Sequence, residues 1–223
     1  MECEVKPMKP DVFFNDVSLF SMGWLRESVD FPVPLSQSES LVVPGRSAPL
    51  RFTQALGKVS FQPRSFTITL SMFGTRARFD ALVSTTVNRF AGQLVKVVRT
   101  EDKSVYAIGT LEAESSYDPR TYKGVLVFSS KDADAYLYHV QETTKSLTGS
   151  GTLSLANDFM PVVPSITTTA ETTLAWQAGA DAFTKTLSAG TWTVPELELA
   201  PGDNTITVTG TGTITFTYRE GRL

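Results

Sequence analysis

The sequence predicts a mainly β chain of two domains, with one helix in the first domain. Three observations lead to this fold class. Several segments alternate apolar and polar side chains, one segment repeats its apolar residues every three or four positions, and the composition changes near residue 142. A period of two is typical of half-buried strands, whereas a step of three or four is typical of an amphipathic helix.

The change in composition divides the chain into domains at residues 1–142 and 143–223. The first stretch has no net charge, so the formal net charge of −3 falls entirely on the second, which is rich in Thr and Gly. Residues 143–151 are polar and rich in Gly and Ser, as expected of a linker or a wide loop.

The elements of the first domain follow from these patterns. In residues 66–72, Phe66, Ile68, Leu70 and Met72 share one face of an alternating strand. Between residues 75 and 90 the apolar side chains fall at helical steps and Gly92 follows, so we expect one helix there. Further strands are predicted at residues 12–15, 94–98, 106–111 and 123–128.

The second domain is expected to be all β. Residues 205–209 and 213–218 alternate strictly, and the glycines of Gly210-Thr-Gly212 suggest a hairpin turn between them. Other strands are predicted at residues 165–169, 172–177 and 182–187, a spacing typical of β-sandwiches.

Composition excludes several classes of protein. The chain has 223 residues, and its net charge of −3 argues against a basic nucleic-acid binder. Cys3 is the single cysteine, so no intrachain disulfide can form. No apolar run reaches membrane-spanning length, and the charged N-terminus lacks the apolar core of a secretory signal.

The sequence offers little chemistry for catalysis. His139 is the single histidine and lies in a predicted strand or strand end, where it is better explained as a partly exposed side chain than as a base or ligand. The carboxylate pairs Glu112/Glu114 and Asp132/Asp134 have strand spacing, but nothing places them across a cleft as a glycosidase requires. We therefore expect no enzyme, no cofactor and no metal site.

Two features could instead serve binding. Trp176 and Trp192 could stack on a sugar ring, although a place in the core is favoured for both. The run Val43-Pro-Gly-Arg46 contains a turn dipeptide followed by an arginine. This run is either a tight turn or a loop in which Arg46 contacts a carboxylate across a subunit interface.

The order of these features resembles the distal tail proteins of long, non-contractile-tailed bacteriophages, in the variant common in prophages. The resemblance rests on Val12-Phe-Phe-Asn-Asp-Val17, Val43-Pro-Gly-Arg46, the strand at 66–70, the single helix, and the C-terminal Leu199-Ala-Pro-Gly-Asp-Asn204 with Tyr218-Arg-Glu-Gly-Arg-Leu223. It implies an N-terminal tail-tube-like β-barrel domain with one helix and a C-terminal galectin-like β-sandwich.

The resemblance also implies a structural role without enzymatic activity. Members assemble as a homo-oligomeric ring, typically a hexamer, at the virion tail tip after synthesis in the host bacterial cytoplasm. The ring joins the tail tube protein to tail-fibre or receptor-binding proteins, touches no membrane, and lets DNA pass in transit through its lumen. On the hypothesis of a ring-forming hub, we expect Val43, Pro44, Gly45 and Arg46 to lie in a loop at the subunit interface.

Two other functions remain open on sequence alone. A carbohydrate-binding β-sandwich for host surface recognition would use Trp176 or Trp192. A glycosidase would use one of the carboxylate pairs, and it is the least favoured of the three.

Overall fold

The computed structural model describes residues 10–37, 40–42, 44, 47, 50–51 and 59–223. They form mainly antiparallel β-sheets, which confirms the predicted fold class at that level. The chain divides into two compact units, Met1–Leu137 and Tyr138–Leu223. The sequence places this boundary between residues 142 and 143.

Unit 1 contains ten strands and two helices in its described part. The strands are β1 (Val12–Phe14), β2 (Val17–Ser18), β3 (Leu25–Asp30), β4 (Ser40–Leu41), β5 (Leu50–Arg51), β6 (Arg64–Phe73), β7 (Leu94–Arg99), β8 (Asp102–Thr110), β9 (Glu112–Asp118) and β10 (Lys123–Ala133). The helices are α1 (Leu19–Met22) and α2 (Arg76–Phe90).

Two antiparallel sheets enclose the core of unit 1. The unit 1 strands of the first sheet have the order β2-β1-β7-β8, and the second sheet has the order β3-β6-β10-β9. Phe14 and Val97 of the first sheet and Ile68 and Phe128 of the second are fully buried in one cluster. The ring of Phe14 meets that of Phe128 edge-on, with centroids 5.2 Å apart.

The predicted tail-tube-like β-barrel does not close in the described part of unit 1. A barrel requires every strand to pair with two neighbours. Here β3 pairs with β6 alone and β9 with β10 alone, so the second sheet ends in two edges. The short β4 and β5 form a separate ribbon.

The predicted helix at 75–90 is confirmed as α2. The hydroxyl of Thr75 caps it by accepting the Arg78 N–H at 3.4 Å, and Gly92, just past its end, adopts a φ of 70°. The four-residue α1 was not predicted, although Ser18 caps it and Gly23 ends it with a φ of 109°. Among the described residues no helix is long and apolar enough to span a membrane.

Helix α2 lies on the second sheet through its aromatic side chains. Phe79 and Phe90 are each 2% exposed. A Cβ at Gly124 of β10 would lie 2.1 Å from the Phe79 ring, so the helix packs directly on the strand backbone there. The indole N–H of Trp24 also donates to Thr86 of α2 at 2.9 Å.

Unit 2 is a sandwich of two four-stranded antiparallel sheets. Sheet G has the order β12-β19-β14-β17 and sheet H the order β13-β18-β15-β16. The strands are β12 (Thr143–Thr148), β13 (Gly151–Asn157), β14 (Ser165–Thr168), β15 (Thr172–Ala178), β16 (Asp181–Leu187), β17 (Gly190–Thr193), β18 (Gly202–Gly210) and β19 (Thr213–Tyr218). The short β11 (Leu137–His139) pairs with β20 (Gly221–Arg222) through the His139 N–H and the Glu220 carbonyl.

The predicted hairpin of residues 205–218 is wrong. Strand β18 lies in sheet H and β19 in sheet G, so Gly210-Thr-Gly212 carries the chain from one sheet to the other. A tight hairpin turn needs a positive φ, which neither glycine has. Gly212 is required for a different reason, because a Cβ there would lie 2.8 Å from Ala170.

Tyr218 links the two sheets of unit 2. Its side chain is buried, and its hydroxyl donates to the Ala156 carbonyl of β13. Burial, with a smaller contribution from Glu220, raises the pKa of Tyr218 to about 12 from a usual value of 10.0. The phenolate is therefore disfavoured in the folded state.

We predict that Gly124→Val destabilises unit 1. The new side chain would displace Phe79, and overpacking of this kind costs about 3 kcal/mol. Urea unfolding followed by tryptophan fluorescence measures the effect. Gly151→Ala is the matched control, since its Cβ would meet Leu147 at an ordinary 3.4 Å; equal losses in the two variants would contradict the prediction.

We predict that Tyr218→Phe removes an alkaline loss of stability. A group whose folded pKa is raised stabilises the fold fully below its unfolded pKa and loses that contribution as the pH rises through the folded pKa. Wild-type protein should therefore lose stability between pH 10 and about 12 through this residue. Urea unfolding over this range should show a flatter profile for Tyr218→Phe. The exposed-site control Tyr122→Phe should retain the wild-type profile.

Candidate functional site

The predicted interface loop lies mostly outside the described residues. Val43, Gly45 and Arg46 are among those not described, whereas Pro44 lies in a turn and is exposed. Strands β4 and β5 flank this loop and pair antiparallel, Ser40 with Arg51 and Leu41 with Leu50. The assignment of this loop to an interface stays a prediction.

The described residues of the segment between β3 and β6, within 31–63, expose apolar side chains, and we call this segment the arm. Val33, Leu35 and Val42 are 70%, 71% and 77% exposed, and Val59 is 37% exposed. Exposed apolar side chains that form one patch usually mark a contact with another molecule. The described part of the arm is therefore a candidate assembly surface.

A buried arginine holds both ends of the arm. Arg64 is 1% exposed and donates to the carbonyls of Phe31 at 3.2 Å, Pro32 at 2.6 Å and Ala135 at 2.9 and 3.1 Å. Burial lowers the pKa of Arg64 from its usual range, yet a guanidinium stays protonated. These carbonyls compensate the charge, so the arm leaves the core from a fixed base.

The outer face of the sheet β3-β6-β10-β9 is acidic, and we call it the acidic face. Side chains alternate along β9 and β10, and Leu126 and Phe128 of β10 are buried. The residues next to them along β10, together with the β9 residues paired with those neighbours, therefore point away from the core. The carboxylates on this face are Glu27, Asp30, Glu112, Glu114 and Asp118, and they outnumber its lysines, Lys123 and Lys131.

Both lysines of the acidic face are engaged in ion pairs. Lys123 lies 2.6 Å from Glu27, and Lys131 lies 3.3 Å from Glu112. The hydrogen bond from Lys123 lowers the pKa of Glu27, and the Arg120 backbone N–H, followed by the Thr121 hydroxyl, lowers the pKa of Asp118. The face therefore keeps a negative potential at neutral pH.

The two carboxylate pairs and His139, considered above for catalysis, have different surroundings. Glu112 and Glu114 share the acidic face, whereas Asp132 accepts the Thr110 N–H at 3.1 Å and the Ser130 hydroxyl at 3.0 Å, and these bonds lower its pKa. His139 lies 3.1 Å from Asp158 in unit 2. Within the described ranges no group of three or more His, Cys, Asp or Glu residues is arranged to hold a metal ion.

The two tryptophans considered for sugar stacking have different environments. Trp176 is 7% exposed, stacks on Phe183 with centroids 5.5 Å apart, and donates to the Glu196 carbonyl. Trp192 lies on the edge strand β17, is 39% exposed, and donates to the Ser188 carbonyl at 2.9 Å. Only Trp192 presents a substantial part of its indole to solvent.

The structure shows a groove on the outer face of sheet H that the sequence reasoning missed. It has a volume of about 520 Å³ and is lined mainly by β15, β16 and β18. The signal that could have located it is the presence of Ala175 and Ala182 at outward positions that are otherwise mostly threonine.

We predict that Arg64→Met loosens the base of the arm. The variant loses every hydrogen bond from Arg64 to the carbonyls of Phe31, Pro32 and Ala135, so we expect faster proteolysis within residues 31–63 and a stability lower by about 3 kcal/mol. Limited proteolysis with mass spectrometry locates the cleavage. Arg76→Met removes an exposed ion pair with Asp80 and should behave as wild type; similar cleavage in both variants would refute the prediction.

Comparison with known proteins gives a match in structure and none in sequence. No protein-family model and no curated protein matches the chain. The crystal structure of SPP1 Dit (gp 19.1), described as a paradigm of the hub adsorption apparatus in phages that infect Gram-positive bacteria, superposes with a TM-score of 0.67. The sequence identity is 16%, and the match covers 96% of this chain and 99% of Dit.

The match extends over almost all of both chains, so it includes unit 1 and unit 2 together. At this identity it establishes the fold, and the protein matched is a hub protein of the kind that the sequence resembles. The chain therefore has the fold of a phage distal tail hub protein.

Proposed function

We propose that this protein is a structural component of the distal tail tip of a long-tailed bacteriophage or prophage, where it forms a ring-shaped hub. The observation that carries the proposal is the match to the SPP1 hub protein over 96% of the chain. A likeness of one domain would be compatible with many functions. Agreement over two successive units is compatible with far fewer functions.

The open edges of unit 1 support a ring. Among the described strands, β3 and β9 each have one paired neighbour, so their other sides present backbone N–H and C=O groups. Pairing of β9 in one subunit with β3 in the next extends the sheet by a head-to-tail contact. Such contacts generate a closed ring when the rotation between subunits closes. We propose six subunits, as in the family that the sequence resembles.

The acidic face supports a lumen for DNA. If the sheet β3-β6-β10-β9 lines the channel, Glu114 and Asp118 face the phosphates and the lysines are held by Glu27 and Glu112. Each lysine or arginine that neutralises a phosphate adds affinity and slows sliding. A negative lining lets DNA pass without being retained.

The arm supports contacts with other tail proteins. Arg64 fixes the start of the arm, and Val33, Leu35 and Val42 of the arm are exposed. These side chains can therefore dock on the next subunit or on the tail tube protein. The proposed neighbours on the other side are the tail-tip, tail-fibre or receptor-binding proteins. Unit 2 is proposed to be galectin-like, and the protein is made in the host cytoplasm before incorporation into the virion.

We predict that the purified protein assembles into particles of six times its 24.3 kDa mass. Light scattering after size exclusion over a concentration series gives the mass, and negative-stain images show whether the particles are rings. A mass of one subunit at every concentration, also after co-expression with the tail tube protein of the same phage, would refute the ring.

We predict that cysteines on the two open edges cross-link neighbouring subunits. In a Cys3→Ser background, Ser28→Cys on β3 combined with Ser116→Cys on β9 should give a ladder of oligomers with a short bismaleimide. Each single variant is the matched control, because a head-to-tail contact never brings two copies of one edge together. Equal cross-linking of Ser116→Cys alone would show a β9–β9 contact and contradict the proposal.

A further inference from the structure

The groove on the outer face of sheet H exists because two alanines interrupt a surface of larger side chains. Ala175 of β15 pairs with Thr184 of β16 and Thr207 of β18, which gives one row across the sheet. In the next row Gln177 pairs with Ala182. The methyl groups of the alanines form the floor, and the longer side chains form the rim of a volume of about 520 Å³.

Four of the polar side chains around this floor have no hydrogen-bond partner within the described protein. No hydrogen bond engages the side chains of Gln177, Thr184, Thr205 or Thr207. On the outer face of sheet G, by contrast, hydroxyl groups pair with one another across the strands at 2.9–3.1 Å, in Ser146–Thr215, Thr148–Thr213 and Thr167–Thr191. The groove therefore presents polar side chains that can bind a ligand, whereas the hydroxyl groups named on sheet G, like Thr173 and Thr186 of sheet H, bind one another.

The groove carries almost no charge. Asp203 is its one ionisable side chain among the described lining residues, and it accepts a hydrogen bond from Ser154 at 3.2 Å. Lys185 of β16 is the register partner of the buried Leu174, so its side chain is on the opposite face of the sheet from the groove. Its ammonium group forms an ion pair with Glu196. A phosphate or carboxylate polymer would meet a carboxylate and no cation there, so the lining disfavours anions.

We propose that this groove binds a neutral oligosaccharide in an extended conformation. A pyranose ring has an apolar C–H face, which fits the methyl floor at Ala175 and Ala182, and a rim of hydroxyl groups, which fits the free amide and hydroxyl side chains. The carboxylate of Asp203 can accept from two sugar hydroxyls. The volume is within the range of about 300–1,000 Å³ for small-molecule sites.

This site differs from one built on Trp176 or Trp192. The ring of Trp176 stacks on Phe183 and is 7% exposed, so it offers no stacking platform. Binding would depend on hydrogen bonds and methyl contacts, which favours many weak contacts along a chain over one tight monosaccharide site. The inference is independent of the ring proposed above.

Saturation-transfer NMR on the full-length protein tests the proposal, since the method also works on a large ring. The probes are maltohexaose, cellohexaose, chitohexaose and mannohexaose, with hexagalacturonate as the anionic comparison. We expect transfer to at least one neutral probe and none to hexagalacturonate. No transfer to any neutral probe, or equal transfer to the anionic one, would overturn the proposal.

The matched variants remove polar groups from the groove or from a control surface on sheet G. Gln177→Ala with Thr207→Val should weaken the affinity for the responding probe about tenfold. Thr148→Val with Thr191→Val, on the outer face of sheet G, should leave it unchanged. Urea unfolding of each variant separates loss of the site from loss of the fold.

A second readout distinguishes this inference from the hub proposal. The particle mass of the Gln177→Ala/Thr207→Val variant should equal that of the wild type. A changed mass together with no oligosaccharide binding would assign the groove to a contact with a second copy and overturn the glycan site. Failure of the wild type to form rings would contradict the hub proposal without affecting the groove.

Discussion

The direct packing of Phe79 on the backbone of Gly124 is the contact on which the organisation of unit 1 depends. It holds α2 against the inner side of the sheet β3-β6-β10-β9, where a Cβ at Gly124 would lie 2.1 Å from the ring. Because the helix and the sheet β2-β1-β7-β8 lie on that side, the opposite side stays open to solvent. The open side carries the carboxylates and the ion-paired lysines. The packing of Phe79 on Gly124 therefore determines which side of the sheet is buried and which becomes the acidic face.

Unit 2 also depends on a glycine that allows close approach, here where the chain crosses between its two sheets. Its sheets are joined by chain segments that cross from one to the other, and Gly212 allows close approach to Ala170 at the crossing between β18 and β19. The inner faces then hold apolar side chains such as Ile206 and Phe216, while threonine covers most of the outer faces. The outer threonines have two roles, since several on sheet G pair with other hydroxyl groups and three on sheet H line an open groove.

The two units thus offer different surfaces for different partners. Unit 1 has backbone edges, an apolar arm and a negative face, which together suit assembly around a polyanion that must slide. Unit 2 has a nearly uncharged, hydroxyl-rich groove, which suits a neutral polyhydroxylated ligand.

The sequence by itself determined the local elements. Alternation at Phe66, Ile68, Leu70 and Met72 predicted the core strand β6, and apolar steps ending near Gly92 predicted α2, because both patterns are set by backbone periodicity. The ordered motifs also pointed to the fold that the structural match supports.

Only the tertiary structure decided how those elements combine. Strict alternation at β18 and β19 says that each strand has one buried face, but it does not say whether the strands pair or cross between sheets. The groove and the acidic face depend on residues far apart in sequence, such as Ala175 with Thr207 and Glu27 with Lys123. Strand register brings such residues together, and register is a property of the assembled sheet.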